Sequence, residues 1–507
     1  MGRLLKRLLG LETEYGLMVE GEDPSGLPEC AAEIVRSYQG PSAASWDYRF
    51  EDPRRDARGF RAASLAVNPE DLKYDQMRHG RTPKVDLRAD RVLPNGARLY
   101  NDHGHPEYST PECLSIADLV AHDKAGERIV FQCAQAYAQR IGRRVWIYKN
   151  NTDYHGMSYG CHEDYLVPRD VPFDKLVAGL LPFLVTRQIY AGAGKVGTEP
   201  SSHGTDDIPF QLSQRADFFT EVASVDTLHR RPIINTRDEP HAVSHRYRRL
   251  HVICGDANMM EFATALKVGT TSLALSLIES GWLPSFELAD PVHSIKAVSR
   301  DQTMKWDVEL RGRRHTSALE VQNAYLEAAR QHFGGTSAET DWLLSAWADV
   351  LQELSKNPLS LSDRLDWPAK RQMIAEFAGD AGLPNDVGVL QAIDLEYHNV
   401  DPDAGLYRAV EHSGAVRRIV SDADILGAVD RPPADTRAFL RGMCISRFGE
   451  AVRSVTWSGV SMDVHGRSVL LDMSDMVDGS VAAVNARAAR AANLDEFLSA
   501  VDDGPAP

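Results

Sequence analysis

Residues 95–113 read NGARLYNDHGHPEYSTPEC, and this stretch decides how the rest of the chain is interpreted. The Asn-Gly pair predicts a turn, and the residues after it predict a strand. Two acids and two histidines crowd the end of that strand: Asp102, His103, His105 and Glu107. Such a cluster belongs either to a polar hairpin that faces water or to the floor of an active site.

A second short segment carries acids at strand spacing. Residues 8–21, LLGLETEYGLMVEG, alternate from Gly10 onward, so Glu12 and Glu14 project from one face of a predicted strand. If this strand neighbours the one that ends near Asp102, four carboxylates converge on one face, namely those of Glu12, Glu14, Asp102 and Glu107. Oxygen ligands gathered in this way suit Mg²⁺ with a nucleoside triphosphate. The alternative is that all four are solvent-facing strand residues.

A third polar segment covers residues 148–166, YKNNTDYHGMSYGCHEDYL. It follows one predicted strand and runs into another, which places His162 and Glu163 near the rim of a sheet. The adjacent Cys161 and His162 do not have the spacing of a zinc site. The alternative for His162 is an ordinary buried histidine.

A fourth polar segment covers residues 231–258, RPIINTRDEPHAVSHRYRRLHVICGDAN, and holds five arginines among acids and histidines. Guanidinium groups bind carboxylate or phosphate in a bidentate manner, so this segment predicts the edge of a site for an anion. The alternative is a surface loop held by ion pairs.

Composition excludes several classes of function. The 507 residues carry a formal net charge of −16, which argues against a nucleic-acid partner because phosphate neutralisation needs a basic surface. Six scattered cysteines without a CxxC pair are typical of reduced thiols in a cytoplasmic protein. No signal peptide and no long apolar run is present, so we expect a cytoplasmic location and no membrane partner. The sequence also lacks a P-loop of the form G-x-x-x-x-G-K-[ST].

Strands mixed with runs of helices predict an α+β fold with a largely antiparallel sheet. The length predicts a large catalytic domain over residues 1–429 and a small C-terminal domain over residues 430–507, the latter with a helix and two strands. Residues 47–92 are dense in charge and predict a long inserted loop, which we expect to gate the site.

Eight strings resemble the family of the Pup ligase and the Pup deamidase or depupylase, which handles the prokaryotic ubiquitin-like protein Pup and is related to glutamine synthetase. They are GLETEYG, NGARLYNDHGHPEYSTPEC, YKNNTDYHGMSYGCHEDYL, PFLVTRQIYAGAGKVG, INTRDEPHA, YRRLHVICGDAN, LKVGTT and PPADTRAFLRG. The resemblance runs over nearly the whole chain. It implies a large glutamine synthetase-like domain with a curved antiparallel sheet packed by helices, whose concave face holds ATP and Mg²⁺, plus a small C-terminal domain.

The resemblance also implies roles for individual residues. Asp102 matches the catalytic aspartate. The implied magnesium ligands are Glu12, Tyr100 and Glu107, to which the strand spacing adds Glu14. The implied nucleotide contacts are Arg98, Thr110 and Trp457, while Arg237 and His241 are expected to hold phosphate or the C-terminal carboxylate of the modifier.

The string WDYRFEDPRRDARGF at residues 46–60 and the short spacing of DHGHPEY are similar to the depupylase branch, whereas GAGKV and RPIINTRDEPHA look closer to the ligase. We therefore expect an ATP- and Mg²⁺-dependent hydrolase that deamidates the C-terminal glutamine of Pup or a related modifier, or cleaves its isopeptide bond to a lysine. The alternatives are a ligase that works through a γ-glutamyl phosphate and a binding protein without catalysis. The expected partners are the modifier, the modified proteins and a proteasomal ATPase.

One departure from the family pattern stands out. Where the family has His-Glu-Asn, this chain has His162, Glu163 and Asp164. The added negative charge is expected to affect the preference for a metal or for the modifier.

Overall fold

The computed structural model describes residues 6–65, 87–199, 209–228, 230–379 and 386–502. The strands of this part of the chain are β1 (Leu9–Glu14), β2 (Gly16–Val19), β3 (Asp90–Val92), β4 (Arg98–Asp102), β5 (His105–Ser109), β6 (Val145–Tyr148), β7 (Cys161–Pro168), β8 (Lys195–Val196), β9 (Phe210–Gln211), β10 (Glu221–Ser224), β11 (Pro232–Asn235), β12 (Tyr247–Val252), β13 (Asp307–Leu310), β14 (Arg314–Ser317), β15 (Val452–Thr456), β16 (Gly459–Val464) and β17 (Arg467–Asp472).

The α-helices of the same part of the chain are α1 (Leu27–Arg36), α2 (Ile116–Ile141), α3 (Phe173–Thr186), α4 (Gln188–Ala191), α5 (Glu261–Glu279), α6 (Pro291–Arg300), α7 (Ala318–Phe333), α8 (Ala338–Lys356), α9 (Asp366–Gly379), α10 (Val387–Tyr397), α11 (Leu406–His412), α12 (Asp422–Asp430), α13 (Ala438–Phe448), α14 (Val481–Ala488) and α15 (Leu494–Asp502). None of the described helices is long and apolar enough to cross a bilayer.

The main sheet has six strands in the order β12-β7-β1-β5-β4-β3, and every neighbouring pair is antiparallel. The pairing on which the predicted metal site depends is confirmed, because β1 lies beside β5 with Glu14 opposite Glu107. On the other side of β5, Tyr100 of β4 is also opposite Glu107. Successive side chains of a strand point to opposite faces, so this register puts the acids of three strands on one face.

The opposite face of the sheet is apolar and packs on helices. Leu9, Leu11, Tyr165 and Val167 are buried there with the long helices of the main core. Helix α2, which contacts β1 and β5, begins after the N-cap Ser115 and ends at Gly142, which has a φ of 68°. The alternation along each strand therefore separates a helix-covered apolar face from a polar face that holds the candidate site.

The C-terminal part differs in detail from the prediction. The residues predicted as two strands form three, because Trp457 and Ser458 turn the chain between β15 and β16. The three-stranded sheet and helices α13 to α15 share a hydrophobic cluster with Trp46 and Val92 from the N-terminal half of the chain. Residues 430–507 as a separate domain stay a prediction, and residues 503–507 lie outside the described residues.

The predicted loop over residues 47–92 needs a correction at its end. Asp90–Val92 forms β3, the edge strand of the main sheet, because its backbone pairs with β4. The beginning of the segment is bonded to the C-terminal sheet: Asp47 donates its backbone N–H to Val455 O at 2.9 Å. Residues 66–86 lie outside the described residues.

Candidate active site

Three carboxylates meet at one end of the polar sheet face. Glu14, Asp102 and Glu107 each offer an oxygen, and these oxygens lie within 4.8 Å of one another. We call this group the acid end. Burial raises the pKa of Glu107 well above its usual range, and the charges of Asp102, Glu12 and Glu14 add to the effect. Such a site favours a cation, which would stabilise the ionised carboxylates.

Asp102 stands at the tip of the hairpin that joins β4 to β5. It is paired with His105, so the connection has only two residues, His103 and Gly104. Both have positive φ, 45° and 89°, which is the backbone of a type I′ turn. His103 Nδ1 lies 3.0 Å from Asp102 Oδ2. The tight turn therefore holds the carboxylate of Asp102 beside an imidazole while a third of its side chain stays exposed.

Tyr100 and Ser109 complete the acid end, because the hydroxyl groups of both lie against Glu107. Tyr100 donates its hydroxyl proton to Glu107, and Ser109 Oγ lies 3.4 Å from the same carboxylate. Burial raises the pKa of Tyr100, helped by the charges of Glu107 and Asp102, so the phenol is neutral without a cation. A Cβ at Gly160 would lie 2.2 Å from His162 Nε2, which is why the chain needs glycine where it passes this face.

Glu12 belongs to a different cluster from the one predicted. Its carboxylate lies 3.2 Å from Arg249 Nη1 and 3.5 Å from His162 Nδ1. Glu12, His162 and His251 each offer one ligand atom within 4.8 Å of the others. The structure thus brings Glu14, Asp102 and Glu107 together as predicted, and it places Glu12 on the same face beside histidines and an arginine. We call this second group the arginine end.

A cavity opens at the arginine end. Its wall combines apolar residues of β1 and β7 with polar groups from distant parts of the chain: Glu12, Thr110, His241, Arg249, Arg437 and Trp457. An aromatic ring, a hydroxyl and two guanidinium groups around an apolar floor suit a base and its phosphates. Three of the predicted nucleotide or phosphate contacts, Thr110, His241 and Trp457, therefore lie in one cavity.

Two other predicted contacts are not in this wall. The guanidinium of Arg98 lies between the rings of Trp46 and Tyr100, 4.0 and 3.9 Å from their centroids, and donates to Asp90 at 2.6 Å. Arg237 lies beside the loop that begins at residue 47, where its backbone forms an isolated antiparallel β-bridge with the backbone of Asp56. The aromatic sandwich and the ion pair already hold Arg98, so its role as a nucleotide contact stays a prediction, as does that of Arg237.

The extra charge of Asp164 is compensated within the fold. Asp164 Oδ1 lies 2.9 Å from His251 Nδ1 and 3.2 Å from Arg249 Nη1. Burial opposes the charge of Arg249, but Asp164 and Glu12 raise its pKa above the usual value. Burial lowers the pKa of His251 and His241 well below the usual value, and Arg249 reinforces this, so both imidazoles are neutral. One arginine is thus shared by two carboxylates at this end.

Sequence reasoning missed Arg249, Arg437 and His251 as site residues. Arg249 and His251 could have been found, because they are two apart on one strand and so project from the same face. That strand, β12, pairs with β7, where His251 is opposite Asp164. Arg437 reaches the cavity from a segment more than 300 residues from Glu112, with which it makes a 2.8 Å ion pair. No local pattern reveals such a contact.

Comparison with known proteins agrees with this geometry. The family model described as Pup-ligase protein matches residues 7–461. The chain is 43% identical to a depupylase of Acidothermus cellulolyticus, covering 92% of this chain and 93% of that protein, and 39% identical to a Pup–protein ligase of Acidimicrobium ferrooxidans, covering 92% and 95%. Relatives with the two different names are thus similar to this chain to nearly the same degree.

Solved structures give the same result for the fold. A Pup ligase in complex with Pup matches with a TM-score of 0.76 at 32% identity, covering 99% of this chain and 92% of that one. A Pup ligase in complex with ADP matches with a TM-score of 0.71 at 34% identity, covering 88% and 95%. The predicted α+β fold and the resemblance drawn from the eight strings are both confirmed. The chain belongs to the Pup-ligase family.

Proposed function

We propose that this protein is an ATP- and Mg²⁺-dependent deamidase or depupylase. Its substrate would be Pup or a related modifier, and it would hydrolyse the side-chain amide of a C-terminal glutamine or the isopeptide bond to a substrate lysine. One observation carries the proposal: Asp102, exposed at the tip of a two-residue turn, lies within 4.8 Å of Glu14 and Glu107 on the face that also bears the cavity.

The residues at the acid end fit Mg²⁺. Oxygen donors surround one point, and Glu107 is buried with its pKa raised by burial and by its acidic neighbours, a state that a bound cation relieves. Glu14, Glu107 and Tyr100 would hold the ion, with Glu12 as the predicted ligand on the side of the cavity. When bound, Mg²⁺ polarises an oxygen of the substrate and offsets the negative charge that develops on it.

The residues at the arginine end fit ATP. Arg249, Arg437 and His241 are the polar groups that would face phosphates, Trp457 would contact the base, and Thr110 keeps a hydroxyl proton to donate because its oxygen accepts from Leu11 N at 3.0 Å. The ADP bound to a Pup ligase of the same fold supports this assignment.

Asp102 would supply the reacting carboxylate. It either attacks the γ-carbonyl carbon itself or takes the proton from a water that attacks it, and the amide nitrogen leaves as ammonia or as the lysine amine. His103 Nδ1 lies 3.0 Å from Asp102 Oδ2 and would orient the carboxylate toward the substrate. The hydroxyl group of water ends on the carbonyl carbon, so the products are a free γ-carboxylate and an amine.

Two features favour the hydrolase over the ligase. The segment WDYRFEDPRRDARGF is present, and Tyr48 and Asp56 attach it to residues next to the polar face. Tyr48 donates to Asp90 at 2.6 Å, and Thr236 donates to Asp56 at 2.6 Å. The turn after Asp102 also has only two residues.

The test uses a Pup-like peptide that ends in glutamine, incubated with the protein, ATP and Mg²⁺. Mass spectrometry should show conversion of the terminal amide to a carboxylate, and Asp102→Asn should lower the rate by roughly 10²- to 10⁴-fold while thermal unfolding stays unchanged. Asp102→Asn protein that deamidates at the normal rate would remove Asp102 from the reaction.

ADP counting separates the alternative functions. A hydrolase releases far less ADP than deamidated peptide, whereas a ligase that uses a γ-glutamyl phosphate releases one ADP for each bond formed. Tight binding of the peptide without any product under either assay would indicate a binding protein. A proteasomal ATPase as a partner and the cytoplasmic location stay predictions.

A further inference from the structure

Arg215 is a buried arginine whose donors lack acceptors. Its side chain is 2% exposed, and no group of the described residues accepts a hydrogen bond from its Nε or Nη1. Burial lowers its pKa below the usual value, and the carboxylates of Glu14 and Asp256 compensate only in part. A buried guanidinium without a partner is strongly unfavourable for folding. Its presence therefore points to a ligand that is an anion.

Among the described residues, Arg237, Arg248 and Arg408 each leave one buried nitrogen, Nε, without a hydrogen-bond partner, whereas Arg215 leaves two. Arg187 is as buried as Arg215, but it donates to Glu163 with Nη1 at 2.8 Å and with Nη2 at 2.5 Å, and to Thr271 at 2.6 Å. The pKa of Arg187 is accordingly raised: burial opposes the charge, and Glu163 outweighs it. The guanidinium of Arg187 is thus paired with a carboxylate, whereas Nε and Nη1 of Arg215 have no acceptor among the described residues.

Asp256, one of the two acids that favour the charged form of Arg215, does not accept a hydrogen bond from Nε or Nη1. Asp256 accepts hydrogen bonds from Ser213 Oγ at 2.8 Å and from the backbone N–H groups of Ala193 at 2.8 Å and Gln214 at 3.0 Å. The N–H of Arg215 itself donates to Ser213 Oγ at 3.1 Å. These bonds fix the backbone on both sides of Arg215. The guanidinium itself lies 6.0 Å from the centroid of the Phe219 ring, a contact that does not occupy the hydrogen-bond donors Nε and Nη1.

Arg215 lies on the side of the acid end. Its neighbour Gln214 accepts from Asn151 N at 2.7 Å, and Asn151 donates to Tyr159 O at 3.0 Å. The Tyr159 ring stacks on His105 of β5 with centroids 4.5 Å apart. Glu14 is the acid with the largest electrostatic effect on Arg215, and Arg215 is absent from the wall that holds Glu12 and Trp457. Because the nucleotide phosphates are assigned to Arg249 and Arg437, a second anion is expected near Glu14.

We propose that Arg215 binds the free α-carboxylate of the modifier's C-terminal residue. This rests on the proposed function, in which the γ-carbonyl of the same residue reacts at Asp102. The guanidinium fork matches a carboxylate in a bidentate geometry. Arg237, the residue first expected to hold this group, also has an Nε without a hydrogen bond, but Glu239 lies 3.9 Å from that nitrogen. No described residue accepts a bond from Nε or Nη1 of Arg215.

This assignment predicts that the site is specific for a glutamine at the C-terminus of a chain. Only the last residue of a chain carries an α-carboxylate next to its side chain, so Arg215 would separate a terminal glutamine from an internal one. A substrate without this carboxylate leaves the guanidinium buried and unpaired, which penalises binding.

The binding test compares two labelled peptides, one ending in glutamine with a free carboxylate and one with the same residue as its terminal carboxamide. Fluorescence anisotropy is measured with ADP and Mg²⁺ present. The wild type should bind the carboxylate roughly 10- to 100-fold more tightly, and Arg215→Met should bind both peptides with the same weak affinity. Undiminished discrimination by Arg215→Met overturns the proposal.

A stability comparison separates a ligand site from a structural role. Arg215→Met removes an unpaired buried charge, so thermal unfolding without peptide should stay unchanged or shift upward. Arg187→Met is the matched control and should unfold at a clearly lower temperature, because it leaves Glu163 buried and unpaired. An equal loss in both variants contradicts the proposal, since Arg215 would then be a structural residue.

Two further outcomes keep this inference distinct from the proposed function. If the wild type discriminates, Arg215→Met does not, and neither deamidates, the carboxylate subsite stands and the proposed function fails. Inorganic phosphate is titrated in parallel, because it is the other oxyanion that the same fork could take. If Arg215→Met weakens phosphate binding but keeps the peptide discrimination, the ligand is phosphate and the proposal is overturned.

Discussion

Glu12 and Glu14 are two residues apart on β1 and face the same side of the main sheet, yet their surroundings differ. The Glu12 carboxylate lies 3.2 Å from Arg249 Nη1, so a guanidinium of the protein itself offsets its negative charge. Glu14 faces Asp102 and Glu107, and its ion-pair partner in the described chain is His105, at 3.8 Å, whose pKa burial lowers. The arginine end is therefore prepared for an anion and the acid end for a cation.

The largest effect is expected at the acid end. Glu107→Gln removes the buried carboxylate, and with it the charge that would hold Mg²⁺ against the substrate, so deamidation should fall by at least ~100-fold. The measurement is the initial rate of mass-detected deamidation at saturating Mg²⁺. Glu327→Gln on helix α7, where the carboxylate is exposed, is the control and should react normally. A normal rate for Glu107→Gln would mean that the acid end does not take part in the reaction.

The next effect concerns Glu112, a carboxylate of the cavity wall at the arginine end. Burial alone would raise the pKa of Glu112, but Arg441 and Arg437 lower it to about 2. This carboxylate therefore contributes stability at pH values above 4.5, and that contribution is lost as the pH falls toward 2. Glu112→Gln should lower the free energy of unfolding by ~3 kcal/mol at neutral pH. In urea unfolding experiments the difference from the wild type should shrink below pH 4.5; a constant difference contradicts the pairing.

A smaller effect is expected at the arginine end. Arg249→Met removes a guanidinium from the cavity wall, so the affinity for ADP should fall roughly 10- to 100-fold. Arg246→Met is the control, because Arg246 is half exposed and pairs with Asp475 outside the cavity. Isothermal titration of ADP measures both variants. Equal affinities in Arg249→Met and Arg246→Met would show that the cavity does not hold the phosphates.

The smallest effect is expected at the turn next to Asp102. His103→Asn keeps an N–H donor and a residue that tolerates positive φ, so kcat should stay within about twofold. His103→Gly keeps the turn but loses the bond to Asp102, and kcat should fall about fivefold, the equivalent of ~1 kcal/mol, with KM unchanged. If both variants lose the same activity, the imidazole ring itself is required. If neither loses any, the bond at 3.0 Å does not position Asp102.

Local patterns in the sequence were sufficient for the strands of the acid end. Alternation placed Glu12 and Glu14 on one face, and the turn before Arg98 predicted the strand that ends at Asp102. The pairing of the two acidic strands was only a condition of the predicted metal site, and the turn at His103 and Gly104, which puts Asp102 and Glu107 on different strands, was not predicted. The strands themselves are predictable because strand periodicity and turn residues are local properties.

The division between the two ends could not be predicted in this way. It depends on Arg249, which reaches Glu12 only because β12 pairs with β7 and β7 with β1. The cavity wall also needs Trp457 from the C-terminal sheet. Arg215 gives no signal in the sequence, since its importance lies in the acceptors that are missing around it. Contacts between distant segments and unsatisfied donors are properties of the folded chain.

The difference between the two ends is tested most directly by titrating Mn²⁺, a spectroscopic substitute for Mg²⁺, into nucleotide-free protein and counting bound ions by electron paramagnetic resonance. Glu107→Gln should lose the tight site, because the acid end then lacks its buried carboxylate. Arg249→Met should keep that site with the affinity of the wild type, because the Arg249 guanidinium lies at the arginine end and not among the carboxylates of the acid end. Retention of the tight site in Glu107→Gln, or its equal loss in both variants, would contradict the account.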